Sequence, residues 1–158
     1  MQFRKTAPED IKQIMETEEK YKDFVGQWCF EQHQSALIDP SSAHIVFYSE
    51  EQPFIGYAIL KGLSNDNKSI ELMRIAIDQP NHGHGEKAIK LLLDWCFIEL
   101  KAHRVWLDVR KNNSRAQKVY SRMGFKVEGL LRDSIFIGHK FESLYVMSIL
   151  ENEYGMIL

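Results

Sequence analysis

Leu107-Asp108-Val109-Arg110-Lys111-Asn112-Asn113-Ser114-Arg115-Ala116-Gln117-Lys118-Val119-Tyr120-Ser121-Arg122-Met123-Gly124-Phe125 organises the reading of the whole chain. It continues an alternating run from Arg104, with Val105, Leu107 and Val109 on one side, which predicts a strand over 104–109. Ala116, Val119, Tyr120 and Met123 then recur three or four apart, which predicts a short helix over 114–123. Gly124 is placed to end it as a C-cap, and Asn113 is placed to cap its start. Upstream, Ala88, Leu91, Leu92, Trp95, Cys96 and Ile98 give a broad apolar helical face over about 85–101, preceded by a strand from Ile70 to Ile77. Strand, helix and strand in that order predict a parallel crossover at the centre of the fold.

The flanks read as hairpins and short helices. Two long strands, about 125–136 and 141–150, turn at Gly138-His139. Toward the N-terminus, Gln2 to Lys5 is a short strand, and Thr6-Ala7-Pro8-Glu9 gives a capping-box start, with Thr6 as cap, to a helix carrying Ile11, Ile14 and Met15. Residues 22–36 read as a second helical stretch with Phe24, Trp28 and Leu37 on one side, stopping before Pro40. Ala43 to Ser49 and Phe54 to Lys61 are strand-like runs around Glu50-Glu51-Gln52-Pro53. The order β α α β β β α β α β β predicts an α/β (α+β) fold: one mixed, mostly antiparallel sheet flanked by helices. The expectation is a single domain over 1–158, with an ordered core over about 1–150 and a tail over 151–158.

Composition removes several classes of function. Lys plus Arg is 20 and Asp plus Glu is 22, so there is no basic excess to suggest a nucleic-acid or membrane-surface partner. Cys29 and Cys96 are too few for a disulfide framework or a zinc cluster. No apolar run approaches a membrane span and no signal core follows Met1, so a cytoplasmic location is expected. His82-x-His84 has no Asp, Glu or Cys cluster beside it, and no metal is expected.

Gln79-Pro80-Asn81-His82-Gly83-His84-Gly85-Glu86-Lys87 is the densest chemical signal. Two glycines at a helix start let backbone N–H groups converge on an anion, and the helix dipole adds partial positive charge. An ordinary glycine-containing turn gives the same letters. Gly83-x-Gly85-x-x-Ala88 also fits a dinucleotide fingerprint, with Asp108 near the acidic spacing. Against that reading, Asp78 to His82 separate the first glycine from its strand and no further strand–helix–strand units follow, which leaves a dinucleotide-binding oxidoreductase as a remote alternative.

Asn113, Ala116, Tyr120, Gly124 and Phe125 form a pattern N-x-x-A-x-x-x-Y-x-x-x-G-F that resembles the GNAT acetyltransferase superfamily. Gly83 and Gly85 stand where that family binds the pyrophosphate of acetyl-CoA, with Pro80 in place of its usual Arg or Gln. The segments Glu128 to Asp133 and Tyr145 to Leu150 are similar to the ribosomal-protein and polyamine N-acetyltransferase branch. The resemblance implies acetyl-CoA as donor substrate and direct acetyl transfer to a small-molecule or peptide amine, with a homodimer as one assembly. It implies donor-binding roles for Ile75, Ala76, Ile77, His82, Gly83, His84, Gly85, Glu86, Lys87, Asn113, Ala116 and Tyr120. Tyr120 would protonate the leaving sulfur and Glu71 would act as base. An acyl-CoA-binding module without transfer activity is the alternative.

The acceptor decides how much a base matters. An alkyl amine of pKa about 10.4 is neutral at pH 7 in about one molecule in 2,500, a handicap of roughly 4.6 kcal/mol. An α-amino group near pKa 7.8 is about one-seventh neutral, a handicap of about 1 kcal/mol. Glu16, Glu18, Glu19 and Asp23, with Tyr21, Phe24 and Trp28, would suit a cationic amine, or these carboxylates are the solvated face of a helix. Glu71 likewise reads either as the base or as a partner for Arg74.

Overall fold

Strands Gln2–Lys5 (β1), Ser42–Tyr48 (β2), Gly56–Lys61 (β3), Ser69–Ile77 (β4), Arg104–Arg110 (β5), Lys126–Ile137 (β6) and Lys140–Leu150 (β7) carry the alternation read above. In the computed structural model, which describes residues 1–79 and 83–155, they form one sheet in the order β1-β2-β3-β4-β5-β7-β6. Every neighbouring pair is antiparallel except β4 and β5, which are parallel. A parallel pair needs a crossover, and His84–Asp94 (α3) supplies it, continued by a π-helical turn over Trp95–Glu99. Ser114–Arg122 (α4) follows β5.

One face of the sheet packs on α3 and α4. Ile70, Leu72, Val105 and Leu107 meet Ala88, Leu92, Leu93 and Cys96 there, all buried. Burying each large aliphatic side chain is worth about 1.5–3 kcal/mol, so this layer is the main source of stability. The other face packs on Ile11–Lys20 (α1) and Phe30–Ile38 (α2), where Ile14, Val46, Tyr57, Ile59 and Ala76 form a second cluster. No described helix is long and apolar enough to cross a membrane.

Three expectations are corrected. The first helix is capped by Ala7 through a 3-10 turn over Pro8–Asp10, because the Asp10 carboxylate accepts the Ala7 N–H at 2.8 Å. Thr6 points inward instead, with Oγ1 2.9 Å from His44 Nδ1. Residues 22–36 are not one helix, and α2 starts only at Phe30. The Trp28 N–H is taken by the Glu18 carboxylate at 2.9 Å, and Phe24 is exposed, so the apolar spacing there had no helical face to bury. The core also runs past 150: Glu151–Tyr154 (α5) buries the Tyr154 ring on Phe97, and its hydroxyl donates to Asp94.

Candidate active site

The parallel pairing of β4 with β5 covers only Ser69 with Arg104, Ile70 with Val105 and Glu71 with Trp106. Beyond it the strands diverge. The cause lies in the β3–β4 ladder, where Ile59 pairs with Arg74 but Leu60 with Leu72, so Met73 is an extra residue. A bulge sharpens local twist and swings the strand away from its other neighbour. From Leu72 to Ile77, β4 is therefore paired on the β3 side and open on the β5 side. Unpaired backbone donors and acceptors face the opening, and Ile75, Ala76 and Ile77 all lie on this free edge.

The start of α3 and the start of α4 flank this opening. Gly83 takes a left-handed conformation, φ 70°, as the cap of α3. Among the described residues, a Cβ placed on Gly83 or Gly85 would meet nothing within 4 Å, which leaves both backbones open on that side to an approaching group. His84 and Lys87 belong to the first turn of α3, and the Glu86 carboxylate is engaged by Arg122 at 2.6 Å. His82 and the departure at Pro80 lie outside the described residues. Asn113 caps α4, its Oδ1 accepting the Ala116 N–H at 3.1 Å, so part of its role is structural.

Glu71 and Asp108 stand on the α1–α2 face of the sheet where β4 and β5 part. Glu71 pairs with Trp106, and Asp108 is two residues further along the same face of β5. Neither carboxylate makes a hydrogen bond or ion pair with a described residue, so Arg74 is not the partner of Glu71. Burial pushes Glu71 up, the charge of Asp108 pushes it further, and Lys61 opposes them. Burial also raises Asp108. Tyr120 packs from α4 into the core on the opposite face, 9% exposed, and burial followed by the Asp108 charge raises its phenol. Two carboxyls shifted toward neutrality and one phenol held protonated are suited to moving protons. Asp108 was not singled out for this role from sequence. Its alternation with Leu107 and Val109 set it on the outer face, but sequence does not say what that face looks onto.

Residues 21–29 cross the mouth of the opening and are tied down at three places. The Tyr21 hydroxyl donates to the Asp78 carbonyl at the end of β4. Arg110 at the end of β5 donates to the carbonyls of Asp23 at 2.6 Å and Lys22 at 3.3 Å. The third tie is Glu18, which is 1% exposed and accepts from Tyr57 at 2.5 Å, Arg74 at 2.7 Å and the Trp28 N–H at 2.9 Å. Glu18 also lies 3.4 Å from His33 Nε2, and His33 continues to His44 at 3.0 Å. Burial pushes the Glu18 carboxyl up, but these donors outweigh it and hold it below the usual range. His44 is pulled down to about 4, by burial first and then by His33, and is neutral at pH 7. Glu18 is thus no part of a solvated face. Its phase with Ile11 and Ile14, three and seven residues along one helical stripe, is the signal that points inward.

A cysteine nucleophile finds no support in this geometry. Cys96 is buried and its thiol is pushed up to about 12, which leaves no thiolate nucleophile at neutral pH. Among the described residues no group of three His, Cys, Asp or Glu side chains is placed to hold a metal.

Comparison with known proteins follows the same lines. Residues 9–125 match the acetyltransferase (GNAT) family. An uncharacterized N-acetyltransferase of Mycobacterium tuberculosis is 32% identical over 117 residues, covering 70% of this chain and 69% of that protein. A spermidine N(1)-acetyltransferase of Vibrio cholerae is 27% identical over 138 residues, covering 87% of this chain and 79% of its own. A solved structure of spermidine N-acetyltransferase from Vibrio cholerae, in complex with CoA and spermine, superposes with a TM-score of 0.86 at 22% identity. It covers 97% of this chain and 96% of that one. At that identity the superposition shows the fold.

Proposed function

The chain belongs to the acetyltransferase (GNAT) family and is an acetyl-CoA-dependent N-acetyltransferase, and we propose that its acceptor is an aliphatic polyamine of the spermidine type. The observation that carries the reading is the pair Glu71 and Asp108, two unpartnered carboxylates at the acceptor side of the opening. They suit a cationic acceptor, which needs both attraction and deprotonation. The names of the spermidine-acetylating relatives point the same way. We assign all of 1–158 to one N-acetyltransferase domain and place it in the cytoplasm.

The roles follow from position. The free edge of β4 at Ile75, Ala76 and Ile77 would pair with the amide-bearing arm of the donor as a further strand would. One of its N–H groups would donate to the thioester carbonyl, where negative charge develops on attack. A fixed donor of this kind is worth about 3 kcal/mol. The backbone of Gly83 to Lys87, at the head of α3, would take the pyrophosphate. Glu71, with Asp108 beside it, would take the proton that turns the acceptor ammonium into the attacking amine, and the nitrogen's second proton, released as the amide forms, would restore the phenol that protonates sulfur. Tyr120 would donate to the departing sulfur. No covalent enzyme intermediate is required.

The phosphate role of the loop has a direct test in Gly85→Val. A Cβ there meets no described residue within 4 Å, so the fold should hold, but the branched side chain would obstruct a phosphate's approach. Losing one or two charge-assisted hydrogen bonds should raise the Kd for CoA by roughly 10- to 100-fold. Calorimetric titration of CoA, with a melting curve to check the fold, reads this. Wild-type affinity would give the loop another role.

An acceptor panel tests the polyamine reading. With saturating acetyl-CoA, kcat/KM for spermidine is expected to exceed that for a peptide α-amino group by about tenfold or more, the scale of one charge-assisted contact. The reverse order would move the acceptor to protein N-termini.

A further inference from the structure

Trp28 carries two cations on one indole. The Arg74 guanidinium lies 4.9 Å from the ring centroid and the Lys61 ammonium 5.6 Å from it. The two are held very differently. Arg74 is 88% buried by its side chain (12% exposed) and locked to Glu18 at 2.7 Å. Lys61 is exposed at the last position of β3, and its ammonium makes no hydrogen bond or ion pair with a described residue. Trp28 itself is fixed, through its backbone N–H to Glu18 and an edge contact with His33 at 5.4 Å.

Lys61 also faces carboxylates. It pairs across the ladder with Glu71, and its charge acts on Glu71 without closing an ion pair. Asp39, in the turn before β2, is the other acid it acts on. An aromatic face with a carboxylate beside it is the environment that recognises a primary ammonium. The protein has placed one of its own there.

We propose that the Trp28 ring forms an ammonium subsite next to the reacting position at Glu71, and that Lys61 occupies it as an internal competitor which a cationic acceptor displaces. This deepens the polyamine reading and rests on it only for the identity of the natural ligand. The exchange is one primary alkylammonium for another: the Lys61 side chain is a four-carbon stem ending in NH₃⁺, the same unit as one arm of spermidine. A single exposed cation–π contact is weak, so Lys61 is readily displaced, and its presence sets a threshold that acceptors must exceed. Acceptors with two or more ammonium groups gain most, because one can react near Glu71 and Asp108 while another replaces Lys61.

The test uses n-butylammonium chloride as probe, with binding read by saturation-transfer NMR on the probe's own signals. Lys61→Met is expected to bind it about three- to fivefold more tightly than wild type, the range of one exposed cation–π contact. In Lys61→Met/Trp28→Leu the gain should vanish, and in Lys61→Met/Trp28→Phe, which keeps a weaker ring, it should fall to an intermediate value. Equal or weaker binding in Lys61→Met overturns the proposal. So does a gain that survives loss of the indole, which would be the bulk effect of deleting a positive charge. Wild-type turnover on spermidine is measured separately: failure there removes the polyamine reading and leaves the butylammonium result to decide the subsite.

Discussion

Tyr120→Phe is expected to lower turnover by about 10²- to 10⁴-fold while donor affinity stays within about twofold. The phenyl ring keeps its place against Phe125, whose centroid lies 5.7 Å away, so packing is retained. The hydroxyl makes no hydrogen bond with a described residue, so removing it strands no partner. What is lost is a proton donor that burial and the Asp108 charge keep protonated beyond the ordinary phenol range. The sign has a consequence for pH: a raised phenol pKa means Tyr120 should impose no alkaline loss of rate near pH 10. Single-turnover acetyl transfer, followed by chemical quench, measures the effect on chemistry alone. An unchanged single-turnover rate would leave Tyr120 as packing.

Glu71→Gln should act as strongly on an alkyl amine and far less on an α-amino group. At pH 7 the alkyl amine carries the larger deprotonation handicap, about 4.6 against about 1 kcal/mol. Loss of a general base is worth about 10²- to 10⁴-fold, and rising pH should restore part of it for the alkyl amine as solvent takes the proton. Glu71 works in its ionised form, so wild-type rate falls as pH drops through its pKa. Burial and Asp108 raise that pKa, which places the acid limb above the usual carboxylate range. Asp108→Asn removes one of the two causes and should move the limb to lower pH. Profiles of wild type, Glu71→Gln and Asp108→Asn on spermidine and on one α-amino peptide read both effects. Superimposable profiles for all three would take the carboxylates out of the mechanism.

The parts of this fold legible in the sequence are those whose signals are local. The run from Ile70 to Gly124 announces strand, helix, strand and helix through periodicity, and the elements fall within a residue or two of expectation. The long hairpin turning at Gly138-His139 is equally plain. Residues 21–29 were misread because their conformation is fixed from elsewhere. Phe24 and Trp28 have helical spacing, but Arg110, Asp78 and Glu18 take the polar groups of this stretch from strands and helices distant in sequence. Glu18 shows the same limit from the other side. A charged residue in an acidic helix reads as solvated until the fold brings Tyr57, His33 and Arg74 to it. Lys61 and Glu71 are ten residues apart, and only the β3–β4 register sets them face to face.

The three-rung junction between Ser69–Glu71 and Arg104–Trp106 divides the sheet into two antiparallel plates joined along a short seam. A plate of four antiparallel strands lies on one side and a plate of three on the other. Opening or closing the wedge about these three rungs would disturb few hydrogen bonds, yet the displacement would grow with distance along β4. Ile77 is six residues beyond Glu71, about 20 Å at strand rise, so a turn of about 3° at the seam shifts it by about 1 Å. A misplacement of about 1 Å between reacting groups can cost about 100-fold in rate. Side chains at the closed end of the wedge, Ile70 and Val105 foremost, therefore set the alignment of chemistry that takes place well away from them.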